Sequence, residues 1–166
     1  MFSFSFKDRV ALHYIISTGL LISVVFFVIY QIIDHSVNTH INDNIQTEVQ
    51  KHLEEIEIDR NNTYLIQVDQ WRAREHNTVN VNPVFVQFFD INNQLIDKSP
   101  NLKGLQLKMY PAELNNKLID TYLNNKPIRQ IQVPLLDKNR VIGFLFIAMS
   151  LDDATMVLIN LRDVFF

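Results

Sequence analysis

One long stretch without charged residues constrains the fold of this chain more than any other feature. Residues 10–33 contain no Asp, Glu, Lys or Arg, and the densest part, from Gly19, reads GLLISVVFFVIYQ. A helix rises about 1.5 Å per residue, so this stretch reaches about 36 Å and can cross a hydrocarbon core of about 30 Å. Cleaved signal peptides have shorter apolar runs and end in a small-x-small site, which QIIDHSVNTH at 31–40 lacks. The sequence therefore predicts an uncleaved transmembrane helix.

The charges beside this stretch predict its orientation. Lys7, Asp8 and Arg9 precede it and Asp34 follows it. Two basic residues in a short tail favour the cytoplasmic side for that tail. Residues 1–33 carry a net charge of +1. The whole chain carries −3, so the residues after position 33 carry −4. We expect a cytoplasmic tail at 1–9, a span at 10–33 and an acidic outer domain. An acidic outer domain without cysteine suits a bacterial periplasm, and with the predicted span we expect the chain in the bacterial inner membrane.

Composition excludes several classes of function. The chain has no cysteine, which removes disulfide scaffolds, thiol catalysis, cysteine zinc sites and iron–sulfur clusters. None of its three glycines lies in a GxGxxG or GxxxxGK[ST] pattern, so a nucleotide-binding core is not expected. The net charge of −3 argues against a nucleic acid as partner.

The histidines and carboxylates do not form a recognisable catalytic or metal-binding pattern. His35 and His40 are five residues apart, not the four that place two ligands on one helical face. We expect them and His52 to be solvated helix residues. No nucleophile–base set or catalytic carboxylate pair can be argued. The prediction is therefore no catalytic residue, no bound cofactor and no metal site.

An apolar stripe follows the span. It steps by four residues and finally by three, and consists of Ile33, Val37, Ile41, Ile45, Val49, Leu53 and Ile56. This spacing predicts that the membrane helix continues outward as one rod over 34–60. The stripe must bury against its own domain or against a second copy of the chain, and we expect both along its length.

The remaining pattern is that of strands followed by a helix. Strands are predicted at 84–89, 95–98, 128–135 and 141–149, separated by turn residues. Arg129 shares one strand face with Ile131, Val133 and Leu135. A helix start is predicted at Pro111. Residues 118–122 fit a helix or a strand, and the Asn-Asn-Lys-Pro turn after them favours the strand. Ser150 and Asp153 match a capping box that opens an exit helix at 151–166.

This order predicts an α+β fold. The N-terminal transmembrane helix continues into a long helix, followed by a five-stranded antiparallel sheet with flanking helices and by the exit helix. The arrangement resembles a PAS-like periplasmic sensor domain, here at 34–150. The first and last strands are the most apolar, so we expect them to pair at the centre of the sheet.

The whole chain resembles the amino-terminal sensory region of a bacterial two-component sensor histidine kinase. The resemblance rests on the span, on NPVFVQFFD at 82–90 with its hairpin, on PIRQIQVPL at 127–135 and on GFLFIAMSLDDATMVLINLR at 143–162. In that family, a strand and a Ser-Leu-acidic-acidic-Ala sequence lead a helix into a second span. The resemblance implies a homodimer in membrane lipid that responds to a small-molecule or envelope signal.

The family's enzymatic parts are not recognisable in these residues. By resemblance, a kinase core would bind ATP and Mg²⁺ and act on a response regulator. No phosphoaccepting histidine box or ATP-binding box is present among the 166 residues. We therefore expect a fragment whose exit helix leads toward a missing second span.

Two groups of residues are candidates for binding a signal. Trp71, Arg72, Arg74 and His76 could contact an anionic ligand or lipid headgroups, and the alternative is a surface segment with Trp71 packed inward. Arg129 could line a pocket with Lys98 and Tyr110, and the alternative is an exposed sheet arginine.

Other functions also fit the pattern. The module could serve another transmembrane receptor, such as a chemoreceptor or a cyclic-dinucleotide enzyme. It could also be a complete single-span anchored binding or scaffold protein. A secreted enzyme fits least, because no catalytic set is found.

Overall fold

A single continuous helix dominates the N-terminal third of the chain. The structure, a computed structural model, describes residues 5–58, 64–66 and 83–165. Helix α1 extends over Phe6–Glu55, 50 residues, or about 75 Å. At its start, the Ser5 amide donates to Asp8 Oδ2 at 3.0 Å, which satisfies one of the free amides of the first turn.

The rod ends five residues earlier than predicted. Ile56–Ile58 forms a short strand, β1, which pairs antiparallel with β2 at Tyr64–Ile66. The isoleucine–glutamate–isoleucine alternation of β1 has the two-residue period of a strand, and β-branched residues favour strands. Ile56, predicted as the last position of the helical stripe, therefore lies in β1.

A five-stranded antiparallel sheet follows, as predicted. Its strands are β3 (Val84–Asp90), β4 (Leu95–Lys98), β5 (Ile119–Leu123), β6 (Lys126–Asp137) and β7 (Arg140–Ser150). The spatial order is β4-β3-β7-β6-β5, so the first and last strands of this sheet pair at its centre. Residues 118–122, for which the turn after them favours a strand, belong almost entirely to β5, which confirms that prediction. The helix predicted to start at Pro111 is only a 3-10 turn at Ala112–Leu114.

Asparagine occurs in both tight turns of this sheet that join β5 to β6 and β6 to β7, in a chain that has only three glycines. Asn124 and Asn125 join β5 to β6 with φ of 49° and 63°, and Lys138 and Asn139 join β6 to β7 with φ of 45° and 67°. Two successive left-handed residues twist in the sense that matches the flanking strands. Asparagine tolerates this conformation better than most side chains. These two turns fix the register of the three strands that they connect.

The predicted helical stripe packs against one face of the sheet. Ile41, Ile45 and Val49 of α1 are buried in a cluster with side chains from β3, β6 and β7, and Val37 and Leu53 pack at its margin. Among the described side chains of the exit helix α2, Asp152–Phe165, Ala154 packs at this margin, beside Leu151 just before the helix. The two helices contact each other. Both helices therefore lie on the same face of the sheet.

The segment between β4 and β5 covers the opposite face. Leu102 and Leu107 are buried there against Phe89, Phe146 and Ala148. The central strands β3 and β7 consequently have both faces covered, as their continuous apolar sequences predicted.

The apolar half of α1 is largely exposed in the structure. Its large apolar side chains between Phe6 and Ile32 are mostly exposed, with Leu20 and Leu21 each at 65%. The helix is long and apolar enough to cross a membrane. Such a continuous exposed apolar surface requires lipid or another protein around it.

Candidate functional site at the junction of the helices and the sheet

Arg129 joins three elements of the fold. It lies on β6 directly opposite Asp120 of β5. Its Nε and Nη2 atoms donate to the two carboxylate oxygens of Asp120 at 2.6 and 2.8 Å, and Nη1 donates to Asn42 Oδ1 of α1 at 2.8 Å. The Arg129 side chain is only 13% exposed. One guanidinium group therefore fixes the position of α1 relative to the hairpin formed by β5 and β6.

The charge on Arg129 is stable against changes in pH. The hydrogen bonding of Arg129 to the Asp120 carboxylate raises the pKa of Arg129, burial lowers it, and the carboxylate charge adds a smaller increase. A raised pKa stabilises the fold below the arginine's unfolded pKa, and this contribution is lost only as pH rises through the folded pKa. Both values lie far above neutrality, so titration of Arg129 cannot switch the junction under physiological conditions.

The start of α2 is attached to the same end of β6. The Leu151 amide donates to the Pro127 carbonyl oxygen at 2.9 Å, and Lys126 Nζ lies 3.0 Å from Asp152 Oδ2. Ser150 Oγ accepts a hydrogen bond from the Asp152 amide at 3.2 Å, one residue before the Asp153 amide that the predicted capping box would use. Residues 126–129 of β6 thus contact both helices, and we call them the helix junction.

Three buried glutamines organise the other face of the sheet. Gln87 Oε1 accepts from the Leu107 amide at 2.7 Å, and Gln130 Nε2 donates to the Lys108 carbonyl oxygen at 2.6 Å. Gln132 accepts from the amide of Tyr110 at 3.0 Å and donates to its carbonyl oxygen at 3.2 Å. These side chains hold the backbone of residues 105–115, here called the strap. These hydrogen bonds to the strap come from glutamine side chains and not from the backbone of a neighbouring strand. Buried polar groups require such partners.

Replacing Gln132 with leucine is expected to lower the free energy of unfolding by about 1–3 kcal/mol. The change leaves the amide and carbonyl of Tyr110 without their partners beside an apolar side chain. Amide hydrogen exchange at Tyr110 should accelerate, and chemical unfolding should report the loss. Gln106→Leu is the control, because Gln106 lies on the same strap and is exposed. Equal effects of the two substitutions would contradict the role of Gln132.

The structure does not bring the described candidate residues into one pocket. Arg129 faces α1, whereas Lys98 Nζ donates to the Leu105 carbonyl oxygen of the strap at 3.1 Å. Tyr110 lies in the strap, with Lys108 Nζ 5.4 Å from its ring centroid. Arg129 is thus on the opposite side of the sheet from the other two, and it is mostly buried rather than an exposed sheet arginine. Trp71, Arg72, Arg74 and His76 lie outside the described residues.

The expectation of solvated histidines is wrong for one of the three. His52 is 6% exposed, with its ring edge-on to Phe88 at a centroid distance of 6.3 Å and Nε2 3.9 Å from Glu48 Oε2. His35 and His40 are exposed. His52 follows Val49 of the stripe by three residues, a spacing that turns it toward the sheet. Within 5–58, 64–66 and 83–165, no group of three potential metal ligands occurs.

Sequence reasoning did not identify Asn42, Asp120, Lys126 or Asp152 as parts of this junction. Comparison with known proteins does not assign them a role: no protein-family model matches the chain, and a search of curated proteins finds no similar sequence. The chemistry of the junction is that of holding and positioning, because its groups are paired with one another. Its contacts connect two helices through three residues of one strand, Lys126, Pro127 and Arg129.

Proposed function

We propose that this chain is the membrane-anchored extracytoplasmic sensor region of a two-component sensor histidine kinase, with a PAS-like sheet domain. The observation that carries this proposal is the helix junction. Within this four-residue segment of β6, Arg129 contacts α1, and Lys126 and Pro127 contact the start of α2. A displacement within the sheet at this point acts on both helices together.

The continuity of α1 supports transmission of such a displacement toward the membrane. No break separates the apolar segment from Asn42, since α1 is one helix over Phe6–Glu55. A rigid helix carries a shift, tilt or rotation along its length, whereas a flexible linker would absorb it. The junction also attaches α2, so the relation between the two helices depends on the same strand residues.

In this proposal, a signal acts by favouring one of two arrangements of the helices. A ligand can shift such an equilibrium only by its differential affinity for the two states. The sheet domain lies in the periplasm, the N-terminus lies in the cytoplasm, and two copies pair in the membrane. The 166 residues lack a phosphoaccepting histidine box, so their part is sensing and transmission. Phosphoryl transfer from ATP with Mg²⁺, and the response regulator, belong to a kinase core.

Cysteine labelling tests the orientation in whole cells. The chain has no cysteine, so a single introduced one can be read without background. We expect Asn139→Cys, in the exposed turn between β6 and β7, to react with a membrane-impermeant maleimide in spheroplasts. Ser3→Cys should react only after lysis. The reverse pattern, or labelling of Asn139→Cys only after lysis, would place the sheet in the cytoplasm and contradict a periplasmic sensor.

A chimera tests the signalling role itself. The full chain is fused in frame, after α2, to the second span and kinase core of a well-characterised sensor histidine kinase. Insertions of one to four residues at the fusion point should change kinase output with the helical period of about 3.6 residues. A control chimera that lacks the sheet domain should lose this dependence. Output unaffected by every insertion would contradict transmission through α2.

A further inference from the structure

The hairpin between β5 and β6 lies at the end of the sheet nearer to the apolar part of α1. Arg129 binds Asn42, and His52, further along α1, contacts Phe88. The sheet row of Phe88 also contains Val133 of β6. Asn42 of α1 therefore lies beside Arg129 of β6, and His52, later in α1, lies beside the sheet row that contains Val133, later in β6. The two elements run in the same direction, so β6 begins on the side of the apolar segment.

The height of the hairpin above the apolar segment follows from the rise of each element. Ile33 ends the apolar segment and precedes Asn42 by nine residues of α1, about 13 Å along the helix. Lys126 precedes Arg129 by three residues of β6, about 10 Å along the strand. With β6 taken as parallel to α1, the hairpin tip lies within about 4 Å of the level of Ile33. Each headgroup layer of a bilayer is about 5–8 Å thick.

The residues of the tip suit a lipid headgroup layer. Tyr122 is 73% exposed, although it is a large aromatic side chain. Tyrosine is enriched at the membrane–water boundary, where its ring meets apolar groups and its hydroxyl meets polar ones. Asn124 and Asn125 are exposed and can donate hydrogen bonds to phosphate and ester oxygens. The charge of Lys126 is balanced by Asp152 at 3.0 Å. The tip thus favours a zwitterionic surface and has no cluster of free cations for an anionic one.

We propose that Tyr122, Asn124 and Asn125 form a membrane-docking tip that seats the sheet on a zwitterionic headgroup layer. The docking tip rests on the proposed function only in requiring that the apolar segment of α1 spans the bilayer. The docking tip adjoins the helix junction. Contact with the lipid surface therefore holds the junction in place, in addition to its contacts with α1 and α2. A change in bilayer thickness would then move the junction relative to α1.

A fluorescent label on the docking tip tests this contact. The full chain, carrying Asn124→Cys labelled with the fluorophore NBD, is reconstituted into phosphatidylcholine nanodiscs. A fraction of the lipid carries a nitroxide on its headgroup. Asn139→Cys is the matched control, because Asn139 is also an exposed left-handed turn residue but lies about 40 Å further along β6. We expect headgroup quenching to be at least threefold stronger at position 124 than at position 139.

Substitution of Tyr122 separates docking from mere proximity. In the protein labelled at position 124, Tyr122→Ser should reduce the quenching at least twofold, and Tyr122→Trp should retain it. Replacing part of the lipid with anionic phosphatidylglycerol should change the quenching by less than twofold. Quenching that ignores Tyr122, or that depends strongly on anionic lipid, would overturn the proposed zwitterionic docking tip.

A label in the apolar segment distinguishes the two proposals. Val25→Cys, labelled in the same way, should be quenched by a nitroxide on the lipid acyl chain. If it is quenched while positions 124 and 139 behave alike, the docking tip is wrong and the membrane-anchored sensor stands. If it is not quenched, the apolar segment is outside the bilayer and both proposals fail.

Discussion

Replacing Ile45 with alanine is expected to lower the free energy of unfolding of the sheet domain by about 2–5 kcal/mol. Ile45 is 0% exposed and lies at the middle of the buried stripe of α1, between Ile41 and Val49. Its side chain packs in the cluster that contains Val86 and Ile147 at the centre of the sheet. Truncation removes apolar contacts and leaves a cavity, because packed cores relax only partly around a lost side chain.

Pulse proteolysis of the full chain in mild detergent, over a urea series, measures this loss. The neighbouring Gln46 is exposed, so Gln46→Ala is the matched control and should change stability by less than about 0.5 kcal/mol. A loss below about 1 kcal/mol for Ile45→Ala would contradict the packing of α1 on the sheet. It would also remove the basis for transmission along α1, because a helix that is loosely attached cannot follow the sheet.

The parts of the fold with a regular apolar period could be predicted from the sequence. The four-residue spacing of Ile41, Ile45 and Val49 describes one side of a helix, and these residues are buried. The continuous apolar runs of β3 and β7 indicated strands covered on both faces, and these strands are central. In both cases, one physical requirement, burial of apolar surface, determines the pattern and the structure alike.

The strap could not be predicted in the same way, because its backbone partners are distant side chains. Leu107 and Tyr110 are held by Gln87 and Gln132, which lie on two non-adjacent strands of the sheet. No periodicity within 105–115 records such partners. Two of the amide atoms there, Gln87 Nε2 and Gln130 Oε1, have no partner among the described residues, so even the glutamines are only partly satisfied.

The Asp120–Arg129 pair was missed although the sequence contains a signal for it. Asn124 and Asn125 form a two-residue turn, and such a turn pairs the residues at equal distances on either side. Counting outward from this turn pairs Asp120 with Arg129, as observed. The contact of Arg129 with Asn42 had no comparable signal, since it depends on how α1 lies on the sheet. The register of a hairpin is local information, whereas the position of a helix on a sheet is not.

Arg129→Ala is expected to lower the free energy of unfolding by about 1.5–3 kcal/mol, whereas Lys126→Ala should cost at most about 1 kcal/mol. Both residues bind a carboxylate at 3.0 Å or less, so distance alone does not separate them. Burial does: the side chain of Arg129 is 13% exposed and that of Lys126 is 73% exposed. The larger figure stays below that of a fully buried pair because Asp120, 58% exposed, can regain water.

Two further variants separate the geometry of Arg129 from its charge. Arg129→Lys keeps the charge but cannot reproduce three hydrogen bonds in one plane, so it should recover less than half of the loss. A double-mutant cycle with Asn42→Ala should give a coupling of about 0.5–1.5 kcal/mol, and Asn38→Ala, whose amide bonds within α1, should give none.

The distribution of distances between two spin labels reports the positioning of α1 separately from a general loss of stability. With labels at Gln46→Cys on α1 and Met156→Cys on α2, both exposed, Arg129→Ala should broaden the distance distribution in conditions where the sheet remains folded. Because the measurement is made where the sheet remains folded, broadening must come from the lost attachment of α1. An unchanged distribution, together with zero coupling to Asn42, would show that apolar packing around Ile45 alone sets the relation of the helices. Arg129 would then contribute stability without positioning α1.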